Sequence, residues 1–269
     1  MTNQALNNKL NGKFKEWACS FSGCDAGNIQ SPIWISGIEW GFGKKRTESD
    51  QEYADKLKKY YSEELPEEIS KGFYEGRYKN YEMGNEALTY QYGQKVAKLY
   101  TAIQGKDISE SIEIAKSSKG SEIFRMNLYP ISFPNEGDEL WDKYGLEGIT
   151  GLQSKQIYRT WCFLHRFPWI AEQVKQHKPK LLIGTGIGYL TDFIVSFGGS
   201  NLAEFINKET IIGDPANPKT STRTMYWTKI NEQTTIVITP FFGGVYGLNS
   251  DALLRAFGNK INDISRFSS

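Results

Sequence analysis

The chain has 269 residues, and its 32 Lys and Arg stand against 31 Asp and Glu, a formal net charge of +1. That balance excludes a strongly basic nucleic-acid coat as a property of the whole chain, though not a local basic groove. With 39% apolar and 14% aromatic residues the chain can bury a sizeable core, which excludes extensive disorder.

At about 150 residues per domain the length allows two domains, or one large α/β domain. Three cysteines, Cys19, Cys24 and Cys162, cannot make a disulfide framework, and they fit a reducing compartment. They are one short of the four thiolates an iron–sulfur cluster takes. The first ten residues hold no apolar run, and no window reaches the ~18 apolar residues of a membrane span. The expectation is a soluble, cytoplasmic chain with no membrane partner.

In chain order, PIWISGI at 32–38 reads as a buried strand ending in a glycine turn. Ser49 and Glu52 form a capping-box pattern ahead of Tyr53 and Leu57, which predicts a helix over 47–65. Residues 66–84, rich in Tyr, Gly and charge, read as irregular. Helices follow at 85–104 and 107–116, so 44–120 reads as a helical insertion. A second strand is expected at 123–127, then a loop over 135–151. The helical stretch 154–176 carries Pro168, which should break or kink it. A third strand at 180–184 runs into a turn and helix, and extended stretches follow at 223–230 and 234–239. A glycine-rich loop then opens a last helix to about Asp263. Alternating strands and helices predict an α/β domain with a mainly parallel sheet, which binds ligands beyond the carboxyl ends of its strands.

Three of those strand ends are chemically unusual. The first, Gly37-Ile38-Glu39-Trp40-Gly41-Phe42-Gly43, brings a lone carboxylate to a tight turn, but its glycine spacing is wrong for a dinucleotide fingerprint and it lacks the Lys-Ser/Thr of a P-loop. Glu39 either serves a ligand or simply pairs with a lysine or caps the next turn. The second is Asn127 in RMNLYPISFP, whose amide offers a donor and an acceptor suited to the edge of a base; it can equally satisfy nearby backbone. Tyr129 and Phe133 can stack on a base or pack in the core. The third is Thr239-Pro240-Phe241-Phe242-Gly243-Gly244, where exposed Phe and Leu could wedge between bases or else lid the core. His165 and His177 read as solvated helix residues, no cluster has metal-ligand spacing, and no G-x-S-x-G elbow occurs.

The order of these segments resembles the uracil-DNA glycosylase superfamily. GIEWG at 37–41 is similar to the first motif of that family, with Glu39 where the family has its water-handling Asp or Asn. FRMN puts Asn127 where the family reads the base, KPKLLIGTG at 178–186 resembles the third strand, and ITPFFGG puts Thr239 at the family's His or Asn position with Pro240 kept. Trp40 replaces the proline of the first motif. The resemblance covers about a quarter of the chain. It implies one three-layer α/β domain over 1–269 around a mainly parallel four-stranded sheet. It also implies a DNA N-glycosylase-like protein with no cofactor and no metal, whose partner is DNA or a nucleobase. On that reading Glu39 and Thr239 are catalytic. Gly37, Trp40, Gly41, Asn127, Tyr129, Phe133, Phe241 and Phe242 hold the substrate, and Leu248 is the DNA wedge. The rival expectations are a non-catalytic base- or nucleotide-binding protein and a protein-interaction scaffold docking through 44–120.

Overall fold

The computed structural model describes residues 12–24, 27–72, 87–117, 122–199 and 206–267. The four expected strands form as β1 (Ile33–Gly37), β2 (Ile123–Asn127), β3 (Leu181–Thr185) and β6 (Thr235–Thr239), with β4 (Asn207–Ile212) and β5 (Thr222–Lys229) between the last two. Their order across the sheet is β2-β1-β3-β6-β5-β4. The first four run parallel, and β5 and β4 add antiparallel. The sheet is therefore six-stranded and mixed, not four-stranded. The missed strand, β4, reads NKETII, and only Ile211 of it is buried. An edge strand that buries so little leaves almost no apolar signal.

Every residue of the parallel quartet is buried. Successive side chains of a strand point to opposite faces, so each strand feeds two cores. On one face Trp34, Phe124, Leu182, Ile236 and Ile238 pack with α5 (Lys155–His177) and α6 (Leu190–Gly198). On the other Ile33, Ile35, Ile123, Leu181, Ile183 and Val237 meet α3 (Gln91–Ile103) and α7 (Asp251–Ser265).

The expected insertion contributes to both cores. Helix α1 (Asp50–Lys59) starts at the Ser49–Glu52 capping box read from the sequence. It continues through a π-helical turn, Tyr60–Glu64, into α2 (Leu65–Lys71), and this unit packs in the first core, whereas α3 and α4 (Ser111–Ser117) belong to the second. Residues 66–71 are thus helical where irregular chain was expected, with Pro66 placed directly after the π-helical turn. The remainder of that irregular stretch, 73–84, and the start of the next expected helix, 85–86, lie outside the described residues. The expected loop 135–151 contains two short helical turns, Leu140–Lys143 and Leu146–Thr150. Helix α5 runs through Pro168 as one helix. Pro168 lies on the exposed face with Leu164, whose carbonyl loses its donor toward solvent.

Candidate active site at the strand ends

From β1 the chain crosses to β2 on one side, and β3 lies on β1's other side. A switch of this kind opens a crevice beyond the carboxyl ends of the two central strands. The segments leaving β1 and β2 stay zipped together above the sheet. Leu128 N donates to Gly37 O (3.1 Å), Tyr129 N to Ile38 O (2.8 Å), Phe133 N to Trp40 O (3.0 Å) and Phe42 N to Phe133 O (3.3 Å). This ladder fixes the position of Glu39.

The Glu39 carboxylate turns toward the first residue of α5. Lys155 Nζ lies 3.3 Å from Glu39 Oε1, the two side chains being 0% and 9% exposed. The same ammonium sits 3.8 Å from the centre of the Phe133 ring. Glu39 Oε2 is buried and accepts no hydrogen bond among the described residues, and Trp40 Nε1 and Arg159 Nε are likewise buried without one. Arg159, one turn along α5, reaches Tyr189 Oη at 3.5 Å and Asp138 Oδ1 at 3.8 Å.

Burial pushes the Glu39 carboxyl above the ordinary glutamate range, against the pull of Lys155 and Arg159, while Glu136 adds to the rise. Burial likewise lowers the Lys155 ammonium, opposed by Glu39. Desolvation therefore drives an acid and a base in contact toward each other's range, the kind of perturbation that clusters at functional sites. The lysine partner anticipated as the bland reading of Glu39 is real. It tempers the carboxylate's shift, whose main cause is burial.

Asn127 and Thr239 lie at the same sheet edge with other partners. Asn127 is an odd-numbered residue of β2 like Ile123, so its side chain falls on the α3 side, whereas Lys155 and Phe133 belong to the α5 side. Its Nδ2 donates to Gly23 O at 3.2 Å and its backbone N to the same oxygen at 3.0 Å. Its Oδ1 lies 2.5 Å from where a Cβ on Gly37 would stand, so Gly37 makes room for the amide. Thr239 is fully buried, and its hydroxyl faces Pro240 O at 3.1 Å and Gly184 O at 3.5 Å. Beside it, Thr185 Oγ1 donates to Ser36 O at 3.1 Å and meets Tyr92 Oη at 3.3 Å. Among the described residues no hydrogen bond joins any two of Glu39, Asn127 and Thr239; the fold gathers them at one edge and directs Glu39 to one side of it.

The loop carrying Gly23 is held by Arg166 of α5. Its guanidinium is fully buried, and each of its five N–H groups goes to a main-chain oxygen. Nε donates to Leu128 O (2.6 Å), Nη1 to Ala18 O and Ser20 O (3.3 Å to the latter), and Nη2 to Ser22 O (2.8 Å) and Asn127 O (3.1 Å). Arg166 thus positions both ends of the Asn127–Gly23 contact.

The remaining aromatics divide by burial. Tyr129 and Phe133 are buried in the core, and Tyr129 Oη donates to Asp192 Oδ2 at 2.8 Å. Phe242 is buried, while Phe241 is half-exposed and stacks near Tyr92, ring centres 6.0 Å apart. Trp40 is half-buried and Gly41 bridges to Phe133. Leu248, the expected wedge, is 0% exposed and packs in the second core, so it is not available to enter a groove. The loop closes on itself: Leu248 N donates to Phe241 O at 2.8 Å, and a Cβ at Gly247 would stand 2.0 Å from Gly243 O. What projects instead is Val245, 76% exposed, and Tyr246, 85% exposed.

The sequence reading missed Lys155, Arg159, Tyr189 and Arg166. Lys155 and Arg159 had a legible signal, being cations one turn apart at the start of a helix that returns to the strand ends. A lysine there opposes the favourable end of the helix dipole, so its burial asks for a carboxylate. Arg166 had none, because a buried arginine serving only carbonyls has no sequence signature. Cys19, Cys24 and Cys162 form no disulfide, and among the described residues no His, Cys, Asp and Glu group has the arrangement of a metal site. No helix of the described residues is long and apolar enough to cross a membrane. Compared with protein-family models, with curated proteins and with solved structures, the chain gives no match.

Proposed function

We propose that the crevice beyond β1 and β3 receives a nucleobase, and that the chain is a DNA N-glycosylase-like protein acting on a deaminated or modified base. The observation that carries the reading is Glu39. It stands where the resemblance places a water-handling carboxylate, buried against Lys155, with one carboxylate oxygen unengaged by the described residues. The helices on both faces of a parallel quartet suit the layered fold that the resemblance implies.

Breaking an N-glycosidic bond develops positive charge on the sugar. A carboxylate in a water-poor site stabilises that charge strongly and can orient the attacking water through its free oxygen. Lys155 keeps Glu39 oriented and offsets its burial. Thr239 contributes a neutral hydrogen bond, weaker support for a departing anionic base than a cationic group gives. Incubation with oligonucleotides carrying uracil, hypoxanthine or xanthine, followed by alkaline cleavage at abasic sites, tests the proposal. Strand breaks at a damaged base that vanish in Glu39→Gln are the expected result.

One observation favours a second reading, a base-binding protein without turnover: Asn127 Nδ2 and Thr239 Oγ1 both donate to backbone carbonyls. Binding of the same oligonucleotides with no abasic product in the wild type selects it.

A further inference from the structure

Away from the strand ends, a cleft of about 500 Å³ opens between α1 and the turn at Leu140–Lys143, lined by Tyr53, Leu57, Lys58, Tyr61, Lys143 and Tyr144. Its size falls within the range of about 300–1,000 Å³ typical of small-molecule sites. The π-helical turn Tyr60–Glu64 builds its inner wall. There Leu65 N bonds to Tyr60 O, five residues back, and the wide turn brings two consecutive tyrosines inward. Such turns are frequent at functional sites.

The rings are fixed before any ligand arrives. Tyr53 Oη donates to Phe42 O at 2.7 Å and Tyr61 Oη to Ser132 O. Tyr144 lies parallel to Tyr61, ring centres 4.0 Å apart at 14°. The cations differ from their neighbours in a telling way. Lys56 and Lys59 are paired with Glu48 and Glu64, each at 3.3 Å. Lys58 and Lys143, the two in the cleft, are exposed and form no ion pair among the described residues. Lys143 Nζ lies 5.6 Å from the centre of the Tyr144 ring, and preset tyrosine rings beside two ammonium groups with no carboxylate partner among the described residues match a planar ring carrying an anion.

We propose that this cleft binds a nucleoside phosphate, its ring against the part-exposed Tyr144 and Tyr53 and its phosphate between Lys58 and Lys143. The proposal is independent of the chemistry assigned to Glu39. A free nucleotide and one unit of a single strand offer the same groups, and titration of the full chain separates them. Calorimetry with adenosine monophosphate, adenosine, inorganic phosphate and a four-residue thymidylate strand should show the monophosphate binding at least about tenfold more tightly than adenosine or phosphate. Tighter binding of the strand than of the monophosphate marks a strand as the source, and the reverse marks a free nucleotide. Tyr144→Ala should weaken binding on the order of tenfold, as expected for one lost stack. The double variant Lys58→Ala/Lys143→Ala, at exposed positions that leave folding intact, should do at least as much, and Glu39→Gln should change nothing. Absence of binding by both nucleotide probes at millimolar concentration overturns the proposal. So does binding that the double-lysine variant leaves intact, or binding that Glu39→Gln abolishes.

Discussion

Replacing Arg166 by Met tests whether one buried cation holds the site together. The substitution keeps a long apolar stem but removes five donors from the carbonyls of Leu128, Ala18, Ser20, Ser22 and Asn127. A buried polar group left unpaired costs about 1–3 kcal/mol, so three carbonyls left dry lose about 3–9 kcal/mol. Removing the guanidinium also relieves its own desolvation, which offsets part of that. The expected net loss is about 3–5 kcal/mol, a large share of the roughly 5–15 kcal/mol that stabilises a typical domain. At about 2–4 °C per kcal/mol for chains of this size class, the midpoint should fall by roughly 6–20 °C. Arg166→Lys, with three donors for five acceptors, should fall between the two. Urea unfolding gives the free energies, and amide exchange at Asn127 N, which bonds to Gly23 O on the held loop, gives the local effect. A Met variant within about 1 kcal/mol of wild type, with unchanged exchange at Asn127, would refute the reasoning.

Four further outcomes follow from the same geometry. Glu39→Gln should remove most base excision, by about 10²- to 10⁴-fold in single-turnover assays, while leaving DNA affinity nearly unchanged. Because burial raises the folded-state pKa of Glu39 above its ordinary value of 4.5, its contribution is fully present below that value and is lost as pH rises through the folded pKa. The wild type should therefore lose stability relative to Glu39→Gln as pH climbs from about 4 toward neutrality, and parallel urea midpoints across that range would contradict the shift. Leu248→Ala should cost about 2–5 kcal/mol by thermal unfolding, the loss for a core leucine, whereas Tyr246→Ala should stay within about 0.5 kcal/mol and weaken only DNA binding. Gly37→Ala, whose Cβ would meet Asn127 Oδ1 at 2.5 Å, should lower stability by about 1–3 kcal/mol and relax base choice in the oligonucleotide assay.

Legibility from sequence followed the number of faces a segment buries. The parallel strands are apolar throughout, because both faces are covered, and each was placed within a residue of its observed limits. Strand β4 buries only Ile211 and was not placed in the sheet. The capping box at Ser49 was readable because it is a local contact. Helix α5 passed through Pro168 because its lost acceptor faces water, a fact set by the tertiary fold. At the site, Glu39 was marked by its place after a strand, but its side chain's direction depended on Lys155, 116 residues later. Leu248 looked exposed because it follows a glycine loop. Its burial is decided by Gly247, which lets the backbone fold back on Gly243.

The order of the sheet has a consequence for synthesis. Strand β1 is central, yet Ile33 pairs with Ile123 on one side and with Leu181, 148 residues further on, on the other. At about 5–20 residues per second, β1 leaves the ribosome roughly 7–30 s before its second neighbour exists. During that interval an apolar strand has an open edge, the condition that invites pairing with another chain. The nascent chain thus stays exposed to aggregation after β2 is complete, until β3 emerges, and holdase chaperones should keep binding it up to that point.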